Sequence, residues 1–236
     1  MISKKHPYAI LNQQFRMIPE IAALLKDIYP TLVTLPVERD IPQTHLAHPV
    51  YWWEHDAEET RGVSPWNQLE VEKVCALARF LLMHVEPARI TVLAGYQGQV
   101  SAIREHLAKR CTEHKDTSKL LKLQVRTVDS YQGSENDIVL LTLVRNNPAR
   151  ALGFMEHPGR RCVALSRARL ALYIVGSRNS FEGTEWGRVI WELEARGCMG
   201  HGLELMRCNG EVREVHTADE LFTICDEVQK KGIECL

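Results

Sequence analysis

The chain contains 236 residues, with 29 Lys or Arg against 30 Asp or Glu, so its formal net charge is −1. This balance excludes a strongly basic arm that would coat nucleic acid through bulk charge, and it gives no support to an acidic, solvating tail. Hydrophobic residues make up 45% of the chain and charged residues 25%, a composition that indicates a globular protein with a substantial core and excludes a mainly disordered one.

Neither the apolar runs nor the cysteines indicate a membrane-bound or secreted protein. The apolar run at residues 138–144 is far shorter than the roughly 18 residues of a membrane span, and no apolar run follows the charged start. Seven cysteines lie scattered with no C-x-x-C pair, which argues against a disulfide framework. We therefore expect an intracellular protein, cytoplasmic or nuclear, whose thiols are mostly reduced.

Short apolar runs alternate with helical patterns along most of the chain. Strands are predicted, in chain order, at residues 49–53, 90–94, 123–128, 138–144 and 170–175. Helices are predicted at residues 67–82, 97–110, 160–169 and 184–196, and the first resembles a capping box at Asn67 and Glu70. This alternation predicts an α/β fold with a mostly parallel sheet and helices on both faces, in which ligands bind at the carboxyl ends of the strands.

The pattern changes from Gly197 onward, where several glycines and four of the seven cysteines lie. A final amphipathic segment, residues 218–229, is predicted to be helical. Zinc is one interpretation of the tail, because it contains Cys198, Cys208, Cys225, Cys235, His201 and His216. These residues lack the short pairs of a structural zinc site, so scattered intracellular thiols are the favoured interpretation and no metal site is predicted.

Two polar segments are candidates for chemistry. In residues 11–21, Arg16 precedes Pro19, where a helix can begin, so the arginine is placed to reach out of a loop; the alternative is an ordinary surface arginine. Residues 127–137 form a glycine-containing loop between two predicted strands, which places backbone amides and Glu135 near a ligand; the alternative is a simple turn.

A third segment is rich in arginine. It begins with residues 153–155 and continues through residues 160–169, which include Arg160, Arg161, Arg167 and Arg169. For Arg160 and Arg169 we expect a solvated basic helix face. Arg167 differs, because it follows the apolar pair Ala164 and Leu165 at short distance and should lie near buried structure.

Taken in order, these segments resemble the second motor domain of superfamily 1 helicases, in particular the senataxin-like and nonsense-mediated-decay helicases. The family's fourth, fifth and sixth motifs look like residues 11–17, 128–147 and 163–169, and residues 94–99 are similar to a strand-end motif ending in Tyr-x-x-Gln. The resemblance covers about residues 8–180. Residues 28–30, 192–198 and 203–208 also look like the zinc-finger-bearing helicases of the NFX type, in which a cysteine- and histidine-rich array follows the motor.

The resemblance implies a RecA-like, P-loop NTPase-like domain over residues 1–182, followed by a helical extension and tail over residues 183–236 that would lead to such an array. It also implies roles for single residues. Arg16 and Arg167 would reach the γ-phosphate of ATP across a cleft, because a planar guanidinium grips phosphate oxygens. The nucleotide would be bordered by Gln14, Phe15, Gly133 and Glu135. Single-stranded nucleic acid would contact Tyr96, Gln99, Thr127, Arg145 and Asn147.

The sequence contains no G-x-x-x-x-G-K-[ST] loop and no paired-acid Mg²⁺ motif. We therefore expect ATP and Mg²⁺ to be bound mainly by a first RecA-like motor domain, in cis or in trans, and the isolated chain to be inactive. The implied function is the C-terminal motor half of an ATP-dependent helicase acting on single-stranded RNA or DNA. The alternative is a non-catalytic nucleic-acid-binding scaffold derived from such a motor.

Overall fold

The computed structural model describes residues 10–113, 117–207 and 209–231, and within them most strands join one parallel sheet. Two short parallel strands come first, β1 (Gln13–Gln14) and β2 (Val33–Thr34). The main sheet consists of β3 (Val50–Glu54), β4 (Ile90–Ala94), β5 (Gln124–Thr127), β6 (Asn136–Thr142), β7 (Ala168–Gly176) and β8 (Met199–Gly200). Its spatial order is β5–β4–β6–β7–β3–β8, and every pairing is parallel. An antiparallel hairpin, β9 (Leu203–Met206) and β10 (Val212–Val215), follows.

Helices cover the sheet in two groups. They are α1 (Pro19–Ala22), α2 (Gln68–Leu81), α3 (Gln97–Glu113), α4 (Pro158–Leu165), α5 (Arg178–Phe181), α6 (Gly187–Ala195) and α7 (Ala218–Lys231). Helix α2 packs against α3 and α7, while α4 and α6 pack around the short helical turn that follows α1. Every residue of β4 and β6 is buried although successive side chains point to opposite faces, so both faces are covered. The predicted RecA-like α/β fold is confirmed.

All five predicted strands are present. Strand β3 lies inside the sheet between β7 and β8, and Trp52 at its centre packs edge-on against Phe181 and Trp186. None of the helices in the described part of the chain combines the length and the apolar character that crossing a bilayer requires.

The predicted helix over residues 160–169 is wrong at its end. Helix α4 starts at Pro158, a residue that suits a first turn, and stops at Leu165. The amide of Ser166 donates to the carbonyl of Cys162 at 3.1 Å and closes the last turn. Strand β7 begins two residues later, so Arg167 lies in the connection and Arg169 lies on a strand rather than on a helix face.

The predicted capping box is only half formed. The side chain of Asn67 caps α2 by accepting from the amide of Glu70 at 3.2 Å. The reciprocal bond is absent here, because the amide of Asn67 donates instead to the side chain of Gln99 at 2.8 Å. The carboxylate of Glu70 is therefore free to point into the sheet.

The tail packs onto the main sheet and its helices. Strand β8 pairs with Trp52 and Trp53 of β3, and α7, which confirms the predicted helix over residues 218–229, packs against α2. Among the described residues, no group of three or more His, Cys, Asp or Glu side chains is arranged to hold a metal ion. Cys208 and Cys235, two members of the candidate zinc set, lie outside the described residues.

Candidate functional site

Four charged residues from three separate parts of the sequence meet at the amino-terminal ends of β6 and β7. Glu135 immediately precedes β6 and Arg167 immediately precedes β7, and the first residues of these strands pair with each other. The turn that carries Arg16 is tied to the same place, because the amide of Ile18 donates to the carbonyl of Arg169 at 2.9 Å. We call this region, defined by Arg16, Glu135, Arg167 and Arg169, the amino edge. It lies at the end of the sheet opposite to the one at which the fold predicts ligands.

Glu135 bridges two guanidinium groups at the amino edge. Its Oε2 atom pairs with Nε of Arg16, and its Oε1 atom lies 3.8 Å from Nη1 of Arg169. Arg169 also donates from Nε to Oδ1 of Asp137 at 2.8 Å. The side chains of Arg16, Glu135 and Arg169 are 36%, 34% and 34% exposed, respectively. The expected solvated helix face for Arg169 is therefore replaced by a network of ion pairs that water can reach.

Arg167 is held differently, by neutral acceptors. It is 8% exposed, which agrees with the expectation that it lies near buried structure. Its guanidinium donates to the carbonyl of Val163 at 3.0 Å, the carbonyl of Ser134 at 3.0 Å and Oγ of Ser166 at 2.7 Å. Burial, and after it the charge of Arg16, lowers the pKa of Arg167, but a guanidinium stays protonated in proteins. Its hydrogen bonds to neutral acceptors leave this positive charge able to attract an anion.

The remaining predicted nucleotide residues lie around this network. The side chain of Gln14 shapes the turn. Its Oε1 atom accepts from the backbone N–H of Arg16 at 2.9 Å, and its Nε2 atom donates to the carbonyl of Met17 at 2.9 Å. Phe15 is exposed beside a cavity of about 310 Å³ with apolar lining. Gly133 has a φ of +88° and open space where a side chain would point, a conformation that favours glycine.

A second group of predicted residues lies at the opposite end of the sheet. Tyr96 follows β4, Thr127 ends β5 and Arg145 follows β6, and the ends of these strands adjoin because Ala94 pairs with both Thr127 and Thr142. We call this region the carboxyl edge and define it by Tyr96, Thr127, Arg145, Phe154 and Arg160. Thr127 also accepts from the amide of Ser130 at 3.3 Å and so shapes the loop after β5.

Two arginines flank a pair of aromatic rings along the carboxyl edge. The guanidinium carbon of Arg145 lies 5.5 Å from the ring centre of Tyr96, and that ring lies 5.9 Å from the ring of Phe154. At the other end of the row, the guanidinium carbon of Arg160 lies 3.4 Å from the ring centre of Phe154. The hydroxyl of Tyr96 accepts from the amide of Phe154 at 3.0 Å, which fixes the two rings relative to each other. Phe154 was not among the predicted site residues, and Arg160 was expected only on a solvated face. The aromatic residue just ahead of the arginine-rich segment was the sequence feature that could have indicated this pair.

The structure does not bring Gln99 and Asn147 to the surface. Gln99 is fully buried, and besides accepting from Asn67 it donates to Oγ1 of Thr142 at 2.9 Å. The side chain of Asn147 accepts from the amide of Ala151 and donates to its carbonyl, both at 3.0 Å. Both residues therefore hold neighbouring backbone in place beneath the carboxyl edge.

Glu59 is a further support that the sequence did not reveal. Its Oε1 atom lies 3.2 Å from Nη1 of Arg145, and its Oε2 atom accepts from the amide of Asn146 at 3.0 Å. The side chain is 5% exposed, so this pair is shielded from water. The loop that carries Glu59 thus fixes the chain just after β6.

Known proteins resemble this chain along most of its length. A family model described as AAA domain matches residues 1–179. NFX1-type zinc finger-containing protein 1 from Mus musculus is 35% identical over 89% of this chain and 11% of its own length. Helicase required for RNAi-mediated heterochromatin assembly 1 from Schizosaccharomyces pombe is 35% identical over 75% of this chain and 18% of its own length. ATP-dependent helicase NAM7 from Saccharomyces cerevisiae is 28% identical over 86% of this chain and 22% of its own length. The chain thus spans 11% to 22% of the length of these relatives.

Proposed function

The chain belongs to the AAA domain family and is a superfamily 1 helicase C-terminal domain close to the NFX1-type proteins, and from this premise we propose that it is one motor half of an ATP-dependent helicase. Its substrate would be single-stranded RNA or DNA, and its partner a first RecA-like motor domain. One observation supports the proposal above all. Arg16 and Arg167, which can bind an anion, lie at one end of the sheet, and the cation–aromatic row from Arg145 to Arg160 lies at the other. A motor needs both, one facing nucleotide and one facing a strand.

At the amino edge, Arg16 and Arg167 would bind the γ-phosphate of ATP. ATP, held with Mg²⁺ mainly by the first motor domain, supplies the phosphoryl group that is transferred to water. The two guanidinium groups stabilise the charge that builds on the phosphate oxygens, a contribution of about 10³ to 10⁵ in rate for a positioned arginine. Glu135 accepts hydrogen bonds from ribose hydroxyls, which releases Arg16 from its present partner.

At the carboxyl edge, the row from Arg145 to Arg160 would bind a single strand without reading its sequence. Bases stack on Tyr96 and Phe154, while the flanking guanidinium groups and Thr127 contact phosphate oxygens. The near-zero net charge of the chain does not oppose this, because the contacts with a strand would be made locally, by the two arginines and two rings of the row. A location inside the cell, cytoplasmic or nuclear, belongs to the same proposal.

ATP hydrolysis by the chain alone and together with a matching first motor domain tests the proposal. We expect negligible turnover alone and turnover stimulated by single-stranded nucleic acid in the reconstituted motor. Robust hydrolysis by the isolated chain would refute the half-motor account. Strand binding without turnover in any reconstitution would indicate the alternative, a non-catalytic nucleic-acid-binding scaffold.

A further inference from the structure

The backbone is strained where it leaves β6 for the carboxyl edge. Val144 has a φ of +74°, and the amide of Arg145 donates to the carbonyl of Leu143 at 2.9 Å. A bond between residues two apart around a central residue of positive φ defines the rare, strained form of the γ-turn. For a β-branched residue such as valine this conformation is an outlier. Something must therefore stabilise residues 143–145, the strained turn.

The carboxylate of Glu70 makes the contacts that stabilise the strained turn. The amide of Val144 donates to both of its oxygens, each at 2.9 Å. The hydroxyl of Thr142 donates to Oε2, and Nε2 of His55 lies 3.0 Å from Oε1. Glu70 is fully buried, so these bonds form where water does not compete.

Glu70 turns toward the sheet because a second side chain takes its place at the helix start. A capping box would send this glutamate back to the amide of Asn67. Gln99 accepts from that amide instead, and its other end donates to Thr142. Glu70 nevertheless stays in the first turn of α2, where the helix dipole stabilises its negative charge. The buried network thus runs from one side chain to the next and ends at the amide of Val144.

We propose that Glu70 is a positioning residue whose buried carboxylate stabilises the strained turn and thereby aims Arg145 at Tyr96. If Val144 relaxed to a negative φ, the chain would leave β6 in another direction. Arg145 would then lose both the ring of Tyr96 at 5.5 Å and the carboxylate of Glu59 at 3.2 Å. The proposal rests on the proposed function, since strand binding is the property that the placement of Arg145 serves.

Rescue by glycine tests this role. Four variants are compared with the full chain: Glu70→Gln, Val144→Gly, the double variant Glu70→Gln with Val144→Gly, and the matched double variant Glu70→Gln with Val144→Ala. Glycine adopts positive φ without strain, whereas alanine removes nearly the same side chain and keeps the Cβ atom that opposes it. One measurement is hydrogen exchange of the residue 144 amide by NMR, and the other is the affinity for a fluorescent oligouridylate by anisotropy.

We expect Glu70→Gln to speed exchange at residue 144 and to weaken oligouridylate binding, each by about tenfold, because a charged buried hydrogen bond is lost. The glycine double variant should bind as Val144→Gly does, and the alanine double variant should remain weak. Equal loss in both double variants would overturn the proposal, because Glu70 would then support the fold in general. If Glu70→Gln does not fold, Thr142→Val removes one donor to the same carboxylate, and its loss of affinity must likewise be rescued by glycine and not by alanine.

The two measurements separate this inference from the proposed function. If the unaltered chain fails to bind the oligouridylate, and a matching oligothymidylate too, the proposed strand surface is wrong. The exchange rate of the residue 144 amide still reports on the strained turn in that case. An unchanged exchange rate in Glu70→Gln would overturn the positioning role whatever the strand affinity.

Discussion

The two edges of the sheet are built from different interactions. At the amino edge, Arg16 and Glu135 form an ion pair with each other, and their own side chains are 36% and 34% exposed. At the carboxyl edge the supporting residues are buried, with Glu70 and Gln99 fully buried. Exposed ion pairs contribute about 0–1 kcal/mol each to stability, whereas hydrogen bonds to buried charged groups contribute about 1.5–3 kcal/mol. Arg16 and Glu135 can therefore exchange partners at little energetic cost, whereas the turn that carries Arg145 keeps its shape.

This difference suits the two ligands of the proposed motor. A nucleotide enters and leaves in every cycle, so the residues that bind it must change partners easily. A surface that stacks bases needs rings and cations at fixed distances. A substitution at Arg167 should therefore change nucleotide chemistry without changing strand binding, and one at Tyr96 should do the reverse.

Arg167→Ala should have the largest effect. In the motor reconstituted with its first domain, we expect turnover to fall by about 10³-fold or more, because charge on the γ-phosphate is no longer stabilised. Strand affinity should stay unchanged, since Arg167 lies at the other edge. Arg167→Lys keeps the charge without the planar fork and should restore only part of the rate. Equal loss of turnover and strand binding would show that the two edges are not independent.

Tyr96→Ala should break the cation–aromatic row. Removing a stacking ring typically weakens strand binding by about 1–3 kcal/mol, so we expect about a tenfold to hundredfold loss of oligonucleotide affinity by anisotropy. Tyr96→Phe is the matched control, because it keeps the ring and removes only the hydroxyl bonds to residues 152 and 154. If both variants bind equally weakly, the hydroxyl rather than stacking explains the loss.

Glu135→Gln and Glu59→Gln compare one carboxylate from each edge. We expect Glu59→Gln to lower the free energy of unfolding by about 1.5–3 kcal/mol, since its bonds are buried, and Glu135→Gln to change it by less than about 1 kcal/mol. Urea denaturation measures both. The reverse order would contradict the contrast between the exposed Arg16–Glu135 pair and the buried support of Arg145.

A pH-dependent effect on stability is expected from Lys73, which lies over the ring of Trp53 at the end of β3. Burial lowers the pKa of Lys73 to about 8, with the nearby charge of Glu70 acting in the opposite direction. Between about 8 and the ordinary value of 10.5, the unfolded chain binds a proton that the folded chain lacks. The free energy of unfolding from this group therefore rises with pH there, by at most about 1.4 kcal/mol per unit. Lys73→Met should remove this slope from urea-denaturation curves; an identical slope in both proteins would contradict the pKa.

Local patterns in the sequence predicted the strands and the start of α2, because β-branched runs and a capping asparagine act over a few residues. The same patterns placed the end of α4 four residues too late. Nothing local shows that β7 begins at Ala168, which leaves Arg167 and Arg169 outside the helix. They also predicted the proximity of Arg167 to buried structure from the apolar residues ahead of it.

Longer-range contacts within the candidate site could not be predicted in this way. Gln99 reaches Asn67 from 32 residues away, and the amide of Val144 reaches Glu70 from 74 residues away. The predicted surface roles of Gln99 and Asn147 rested on family motifs alone, and burial assigns both residues to internal support. Which edge a residue joins depends on where its strand starts and ends, which the motif order does not show.

Strand β8 covers the edge of the sheet at β3. Without it, β3 would end the sheet, and its run Val50–Glu54 would offer unpaired backbone beside two tryptophans. Strand β8 pairs with that backbone, and the carbonyls of His201 and Gly202 accept from Trp53 and Tyr51 at 2.8 and 2.6 Å. An open, aromatic strand edge is a template for aggregation between chains. We therefore expect residues 198–202 to keep copies of this chain from pairing through β3, and a version shortened before Cys198 to precipitate more readily than the full chain.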